Sequence, residues 1–178
     1  MRRTLFVVLA ALIATLAASS PALAGAGTGD GGHPVDRPWV RFPSAPFDLA
    51  GGVYCAFPVH ADPTVDEVFV KTIEEYADGT PKRQLAAGPL KFRMTNTVTG
   101  RSTVVDAGGS AVFDLFRDGS RTWHVIGPVL ASFKDGSSNI GRGVWTINGI
   151  YTVHFSPTNF KTVTIIIGGI HDVCADLA

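Results

Sequence analysis

Two cysteines constrain the fold of this chain more than any other feature, because they lie near the two ends of a long β-type sequence. Gly51 and Gly52 precede Cys55, and a second glycine pair that begins at Gly168 precedes Cys174. A glycine pair within apolar strand sequence indicates a bulge or a bend. We predict a Cys55–Cys174 disulfide that joins the first strand to the last, with two free buried cysteines as the alternative. Closing so long a loop would stabilise the fold by about 4–5 kcal/mol.

The N-terminus has the three parts of a secretory signal peptide, namely Arg2 and Arg3, an apolar run, and small residues that end at Ala24. We therefore expect residues 1–24 to be cleaved and the mature chain to begin at Gly25. Export to an oxidising compartment is consistent with the predicted disulfide. The apolar run is short for a membrane span and nothing after it is longer, so the sequence predicts a secreted protein with no membrane span after cleavage.

The charge balance gives no sign of a nucleic-acid partner. The chain has 15 basic and 15 acidic residues, and two of the basic ones belong to the predicted signal. The mature chain would thus be slightly negative and has no basic cluster, so we expect no nucleic acid as a partner.

The segments before the predicted strands differ in composition. Glycines dominate the residues just after the signal, whereas prolines alternate with Trp39, Phe42 and Phe47 in the segment that follows. These aromatic side chains need a surface to pack on, so we expect an arm that lies on the domain. The chain divides into a signal peptide (1–24), a flexible leader (25–36), an extended aromatic and proline-rich arm (37–48) and a β domain (49–178).

The β domain shows alternating apolar and polar residues, many β-branched residues and frequent turn dipeptides, and it has no helical period. The Asn148-Gly149 dipeptide predicts a tight hairpin. The predicted strands are Val53–Val59, Asp66–Tyr76, Pro89–Val98, Ser102–Asp106, Ala111–Arg117, Arg121–Ile126, Val144–Ile147, Ile150–Phe155 and Lys161–Cys174, and Val129–Phe133 could add another. The sequence predicts an all-β fold, a single small antiparallel β-barrel of about eight strands, with a β-sandwich as the alternative. The predicted disulfide favours the barrel because the first and last strands of an up-and-down barrel are neighbours.

The sequence contains none of the common hydrolase or phosphate-binding motifs, which favours a binding protein over an enzyme. Asp114, His124 and His154 each lie mid-strand between two apolar residues and so share one face. If that face lined an interior, these weak catalytic candidates could bind a metal or move a proton, but on a solvent face they would be ordinary surface residues. We predict no metal and no cofactor. The adjacent Glu74 and Glu75 point to opposite faces of a strand, and we expect both to be solvated.

Three aromatic residues of the predicted hairpins, Trp123, Trp145 and Tyr151, are candidates for the wall of a ligand cavity. The alternative is that they fill the core. The glycine-rich loop from Gly136 to Gly143 could act as a lid over a barrel mouth or be a plain connection.

The segment Met94–Ser102, followed by the Asp118–Ser120 turn, resembles small secreted β-rich proteins of actinobacteria that have no established function. The resemblance covers about the middle third of the chain. It implies a secreted β-rich protein and supplies no catalytic residue.

These observations predict a secreted, non-enzymatic β-barrel protein that binds a small apolar ligand or a partner surface. One alternative is a structural or cell-envelope interaction module with a filled core. Another is a barrel enzyme, such as an isomerase, cyclase or hydrolase, that uses the histidines and the aspartate. The sequence leaves the oligomeric state open.

Overall fold

The computed structural model of the protein describes residues 31–178, so the predicted signal peptide lies outside the described range. The described chain consists of thirteen strands and one short C-terminal helix. The strands are β1 (His33–Pro34), β2 (Val40–Arg41), β3 (Phe47–Leu49), β4 (Val59–Asp66), β5 (Phe69–Glu75), β6 (Pro81–Ala87), β7 (Leu90–Asn96), β8 (Ser102–Asp106), β9 (Ser110–Leu115), β10 (Arg121–Ile126), β11 (Val129–Phe133), β12 (Gly143–Phe155) and β13 (Lys161–Asp172), and the helix is α1 (Val173–Leu177).

The strands form two antiparallel sheets. In the larger sheet β1 and β2 both pair with β5, and the order continues through β6, β9, β10 and β12 to β13. Strand β11 pairs with the first half of β12, beyond the end of β10. The smaller sheet has the order β3, β4, β7, β8.

The all-β prediction is confirmed, but the predicted barrel is wrong. In the described chain β13 pairs with β12 alone and the opposite side of the larger sheet ends at β1 and β2, so neither sheet closes. Residues of both sheets meet in one buried cluster, with Met94 from the smaller sheet and Val144 from the larger. The sandwich alternative fits this arrangement of two sheets around a shared core.

The predicted disulfide between Cys55 and Cys174 is present, with Cα atoms 5.5 Å apart and 119 residues of separation. It does not join two strands, which is why it does not close a barrel. Cys55 lies in the turns between β3 and β4, and Cys174 lies in α1, a helix that the sequence did not predict. Asp172 caps this helix because its carboxylate accepts a hydrogen bond of 2.8 Å from the Cys174 amide. The bond therefore anchors a turn region to the end of the chain.

The glycine pair at the end of the chain lies next to a register shift of the kind that a bulge makes, but the Asn148-Gly149 hairpin prediction is wrong. Strand β12 continues without interruption through this dipeptide, and Gly149 pairs with Gly168 of β13. Both glycines have positive φ, 119° and 118°, and a Cβ on either would lie within about 2 Å of a carbonyl oxygen of the other strand. The register also shifts between Ile150 and Tyr151. The two strands thus stay paired, with one shift of register, where the sequence predicted a turn.

Two further strands differ from the predictions. Strand β6 was not predicted, because Pro81–Ala87 contains no β-branched residue. Strand β4 begins at Val59, where the predicted first strand ends, since residues 51–57 form turns and bends. Pro63 is tolerated within β4 because β3 covers only Val59–Ala61 on that side.

The outer edge of β13 is covered over its first part only. The Asn139 side chain donates to the Val163 carbonyl oxygen at 2.9 Å, and its Oδ1 accepts from the Val163 amide at 2.7 Å. The Lys161 amide likewise donates to the Ser137 carbonyl oxygen at 2.9 Å. The loop proposed as a lid therefore lies along this edge. Further along the strand Ile166 and Ile167 are about two-thirds exposed.

Candidate ligand-binding cavity

A cavity of about 700 Å³ lies between the inner face of the larger sheet and the arm that precedes β3. Its floor includes one cross-strand row in which Val70, Ala86, Ala111 and Val125 follow one another on β5, β6, β9 and β10. Cross-strand neighbours in such a row have Cβ atoms about 5 Å apart, so two adjacent alanines leave a trough between larger side chains. The cavity therefore arises from small residues at the centre of a wide sheet.

Aromatic rings form one wall of this trough. The next row places Phe113 beside Trp123, with ring centroids 5.0 Å apart, and Trp123 also contacts Phe155 at 4.7 Å. Leu90 and Val129 line the cavity towards the smaller sheet. The walls are thus mainly hydrocarbon, which suits an apolar ligand.

Polar groups at the cavity are paired with one another. Arg37 donates two hydrogen bonds to the Glu75 carboxylate, at 2.8 and 2.7 Å, and Glu75 is only 6% exposed. The hydrogen bonds from Arg37 lower the pKa of Glu75 despite its desolvation, and they raise the pKa of Arg37. Gln84 donates to the Thr72 hydroxyl at 3.1 Å. Glu74 and Glu75 were both expected to be solvated, and for Glu75 this expectation is wrong. Glu74 pairs with Lys82 at 2.9 Å, whereas Glu75 is buried because the arm lies above it.

The arm covers the cavity because β5 holds it in an extended form. Val40 and Arg41 pair with β5, and the Phe42 amide donates to the Val68 carbonyl oxygen at 2.9 Å. Arg41 also donates to the backbone carbonyl oxygen of Asp66. Phe42 lines the cavity while remaining 65% exposed, so the arm lies over the cavity and does not fill it.

A smaller cavity of about 200 Å³ adjoins the large one, since Trp123, Val125 and Val129 line both. Tyr151 lines the smaller cavity and is 1% exposed. Its buried hydroxyl has no hydrogen-bond partner among the described residues. Burial raises the pKa of Tyr151, so its side chain is a neutral phenol at physiological pH.

Asp114, His124 and His154 lie on the outer face of the larger sheet, opposite the cavity. Their position follows from strand alternation, because Phe113 and Trp123 point inwards. His124 Nε2 lies 3.1 Å from Asp114 Oδ2, whereas His154 Nδ1 contacts a threonine hydroxyl at 3.0 Å. Both histidines are exposed. Within residues 31–178 there is no group of three or more His, Cys, Asp or Glu residues suited to a metal ion.

The three aromatic candidates take different positions. Trp123 lines the large cavity, and Tyr151 lines the small one. Trp145 packs against the core and donates its indole N–H to the Gly141 carbonyl oxygen at 3.1 Å, away from both cavities. Sequence reasoning missed Ala86 and Ala111, whose only signal is that they are small residues inside β-type sequence.

The single helix of the described range, α1, has five residues and is too short to cross a membrane. Comparisons of the chain with protein-family models, curated proteins and solved structures find no match.

Proposed function

We propose that the protein is exported and binds a small apolar molecule in the large cavity without catalysing a reaction. The observation that carries this proposal is a cavity of about 700 Å³ with mainly apolar and aromatic walls. Ligand sites are typically about 300–1,000 Å³ and combine apolar walls with a few polar groups. Both the size and the lining of the cavity fit this description.

The cavity is too large to be an ordinary packing defect. Protein cores are close-packed, with few voids larger than a water molecule. Here Ala86 and Ala111 lie side by side between Val70 and Val125 in one cross-strand row. A filled core, as the structural alternative requires, would need larger side chains at these two positions.

The polar groups of the cavity support binding over catalysis. Glu75 and Arg37 are the charged pair at its rim, and each is engaged by the other. The His124–Asp114 pair, which could transfer a proton, lies on the opposite face of the sheet. A ligand in the cavity would therefore be bound among hydrocarbon groups and would not meet this pair.

The test is a titration with N-phenyl-1-naphthylamine, a neutral apolar probe whose fluorescence rises on binding. Ala111→Phe fills the trough, and Ser110→Phe is the matched control because Ser110 lies on the exposed outer face of the same strand. We expect Ala111→Phe to weaken probe binding by at least ~10-fold, equivalent to about 1.4 kcal/mol. Ser110→Phe should bind like the wild type. Equal binding by all three proteins would refute the proposal.

Native mass spectrometry of protein from its own secreting host gives a second test. A mass that is lost on denaturation would identify the bound molecule directly. The export part of the proposal is tested separately, because the secreted protein should begin at Gly25, and an intracellular protein with residues 1–24 attached would refute it.

A further inference from the structure

Gln84 and Thr72 form a polar pair on the floor of the large cavity, at the corner where the arm begins. The two residues lie directly opposite each other on β6 and β5, and both line the cavity. Gln84 Nε2 donates to the Thr72 hydroxyl oxygen at 3.1 Å. The Arg37 amide of the arm donates to the Thr72 carbonyl oxygen at 3.3 Å. One corner of the cavity is therefore polar, whereas most of its remaining floor is hydrocarbon.

The hydrogen bond between these two side chains leaves part of their capacity unused. The Gln84 side-chain carbonyl oxygen accepts no hydrogen bond within the described part of the chain, and it is not among the fully buried unpaired atoms there. This oxygen is therefore accessible. The Thr72 hydroxyl accepts the bond from Gln84 and keeps its own proton to donate. The pair thus offers one acceptor and one donor side by side.

Other polar groups of the large cavity offer less than this pair. The Ser44 hydroxyl lies on the arm, and the Trp123 indole N–H lies two strands away from Gln84 in the same cross-strand row. Each of these is a single group, whereas the hydrogen bond between Gln84 and Thr72 keeps an acceptor and a donor together. A ligand hydroxyl matches such a pair, because it donates one hydrogen bond and also accepts.

The charges at this corner disfavour an ionic ligand group. Arg37 and Glu75 also line the cavity, and Arg37 donates two hydrogen bonds to the Glu75 carboxylate, at 2.8 and 2.7 Å. A ligand carboxylate beside them would bring a second negative charge close to Glu75, and a ligand ammonium group would compete with Arg37. A neutral hydroxyl avoids both costs.

We infer that the ligand is a neutral apolar molecule with a hydroxyl at one end, and that this hydroxyl donates to the Gln84 side-chain carbonyl oxygen and accepts from the Thr72 hydroxyl. The inference rests on the proposed binding function and adds a ligand class to it, namely apolar alcohols. Ala86 lies two residues after Gln84 on the same face of β6, and Ala111 pairs with it. The hydrocarbon part of the ligand lies over these two alanines.

The experiment is displacement of N-phenyl-1-naphthylamine by 1-octanol, by its isomer 1-methoxyheptane, which has no hydroxyl proton, and by octanoate. Gln84→Leu should weaken 1-octanol binding about 10-fold and leave the ether nearly unchanged, because only the alcohol donates to Gln84. Thr72→Val should weaken both, because both present an acceptor oxygen. Thr152→Val is the matched control, because Thr152 lies between the buried Tyr151 and Val153 and so points to the outer face of the sheet.

The outcomes separate this inference from the proposed function. The inference is wrong, and the binding function stands, if the probe binds but 1-octanol does not displace it, or if Gln84→Leu affects the alcohol and the ether equally. Tighter binding of octanoate than of 1-octanol would also overturn it, and would favour an anionic group at Arg41, an exposed cation that lines the cavity from the arm. If wild type binds neither the probe nor the three compounds, both proposals fail.

A second measurement needs no variant and covers the case in which Gln84→Leu does not fold. Intermolecular nuclear Overhauser effects in labelled wild type should connect the hydroxyl-bearing carbon of bound 1-octanol to the Thr72 methyl group and the Gln84 side-chain amide. The other end of the ligand should show effects to Ala111 or Val125. Absence of an effect between the hydroxyl-bearing carbon and Thr72 would overturn the inference.

Discussion

Removal of the Cys55–Cys174 disulfide should cost this protein a large part of its stability. The bond closes a loop of 119 residues. The chain-entropy relation for such a loop gives about 5 kcal/mol at 25 °C, against a net stability of about 5–15 kcal/mol for typical domains. The bond also anchors α1, whose Val173 and Leu177 are fully buried. We therefore expect Cys55→Ala/Cys174→Ala to lower the free energy of unfolding by about 4–5 kcal/mol.

Urea unfolding followed by tryptophan fluorescence measures this loss, and a thermal melt should show Tm lower by about 10–20 °C. Alanine is the appropriate replacement because Cys55 is 3% exposed and a serine would bury a hydroxyl. Wild type unfolded in the presence of a reductant is the control, since it removes the covalent bond and keeps both sulfur atoms.

A loss of less than about 2 kcal/mol in the double variant would contradict this expectation, because the loop-closure contribution would then be largely absent. A reduced wild type as stable as the oxidised protein would contradict it in the same way. A large loss in the double variant alone would assign the effect to side-chain packing and not to the cross-link.

Two further predictions concern the arm and the Gly149–Gly168 pair. Glu75→Gln should loosen the arm, so amide hydrogen exchange at Phe42 should be faster than in wild type at pH 6. Arg37 lowers the pKa of Glu75 in the folded state. The contribution of the Glu75 carboxylate to stability is therefore present above its unfolded pKa near 4.5 and is lost as the pH falls through its lower folded pKa. An unchanged protection factor of the Phe42 amide, in the variant relative to wild type at pH 6 or in wild type between pH 6 and pH 2, would contradict this. Gly149→Ala should destabilise the protein by more than about 3 kcal/mol, because its Cβ would lie 1.9 Å from the Ile167 carbonyl oxygen at a positive φ. Gly141→Ala, which has open space, should stay within about 0.5 kcal/mol in the same urea experiment, and equal effects of the two substitutions would refute the packing argument.

The sequence predicted those strands best whose ends are marked by local turn residues. Ser102–Asp106 and Arg121–Ile126 have the predicted bounds. At Asn148-Gly149 the same kind of local signal was misleading, because Gly149 pairs with Gly168 on the next strand and β12 continues through the dipeptide. Local pattern cannot show which residue will lie opposite a glycine.

The site was harder to predict than the fold because its parts meet only through strand pairing. Ala86 and Ala111 form a trough only once β6 pairs with β9. The Arg37–Glu75 pair joins residues 38 positions apart. Trp123 was predicted because a tryptophan in a strand is conspicuous by itself. The space beside it depends on small side chains on the neighbouring strands, and sequence periodicity does not show which small residues will lie next to one another.

The partial cover of β13 has a consequence for handling the protein. The Asn139 amide occupies the backbone groups of Val163 much as a neighbouring strand would. Beyond it, residues Thr164–Ile170 have β-branched side chains and glycines, with no charge and no proline. Such a segment at an exposed edge is the part of a sheet protein from which ordered aggregation starts. A lysine in place of Ile166 would protect this edge in concentrated solutions.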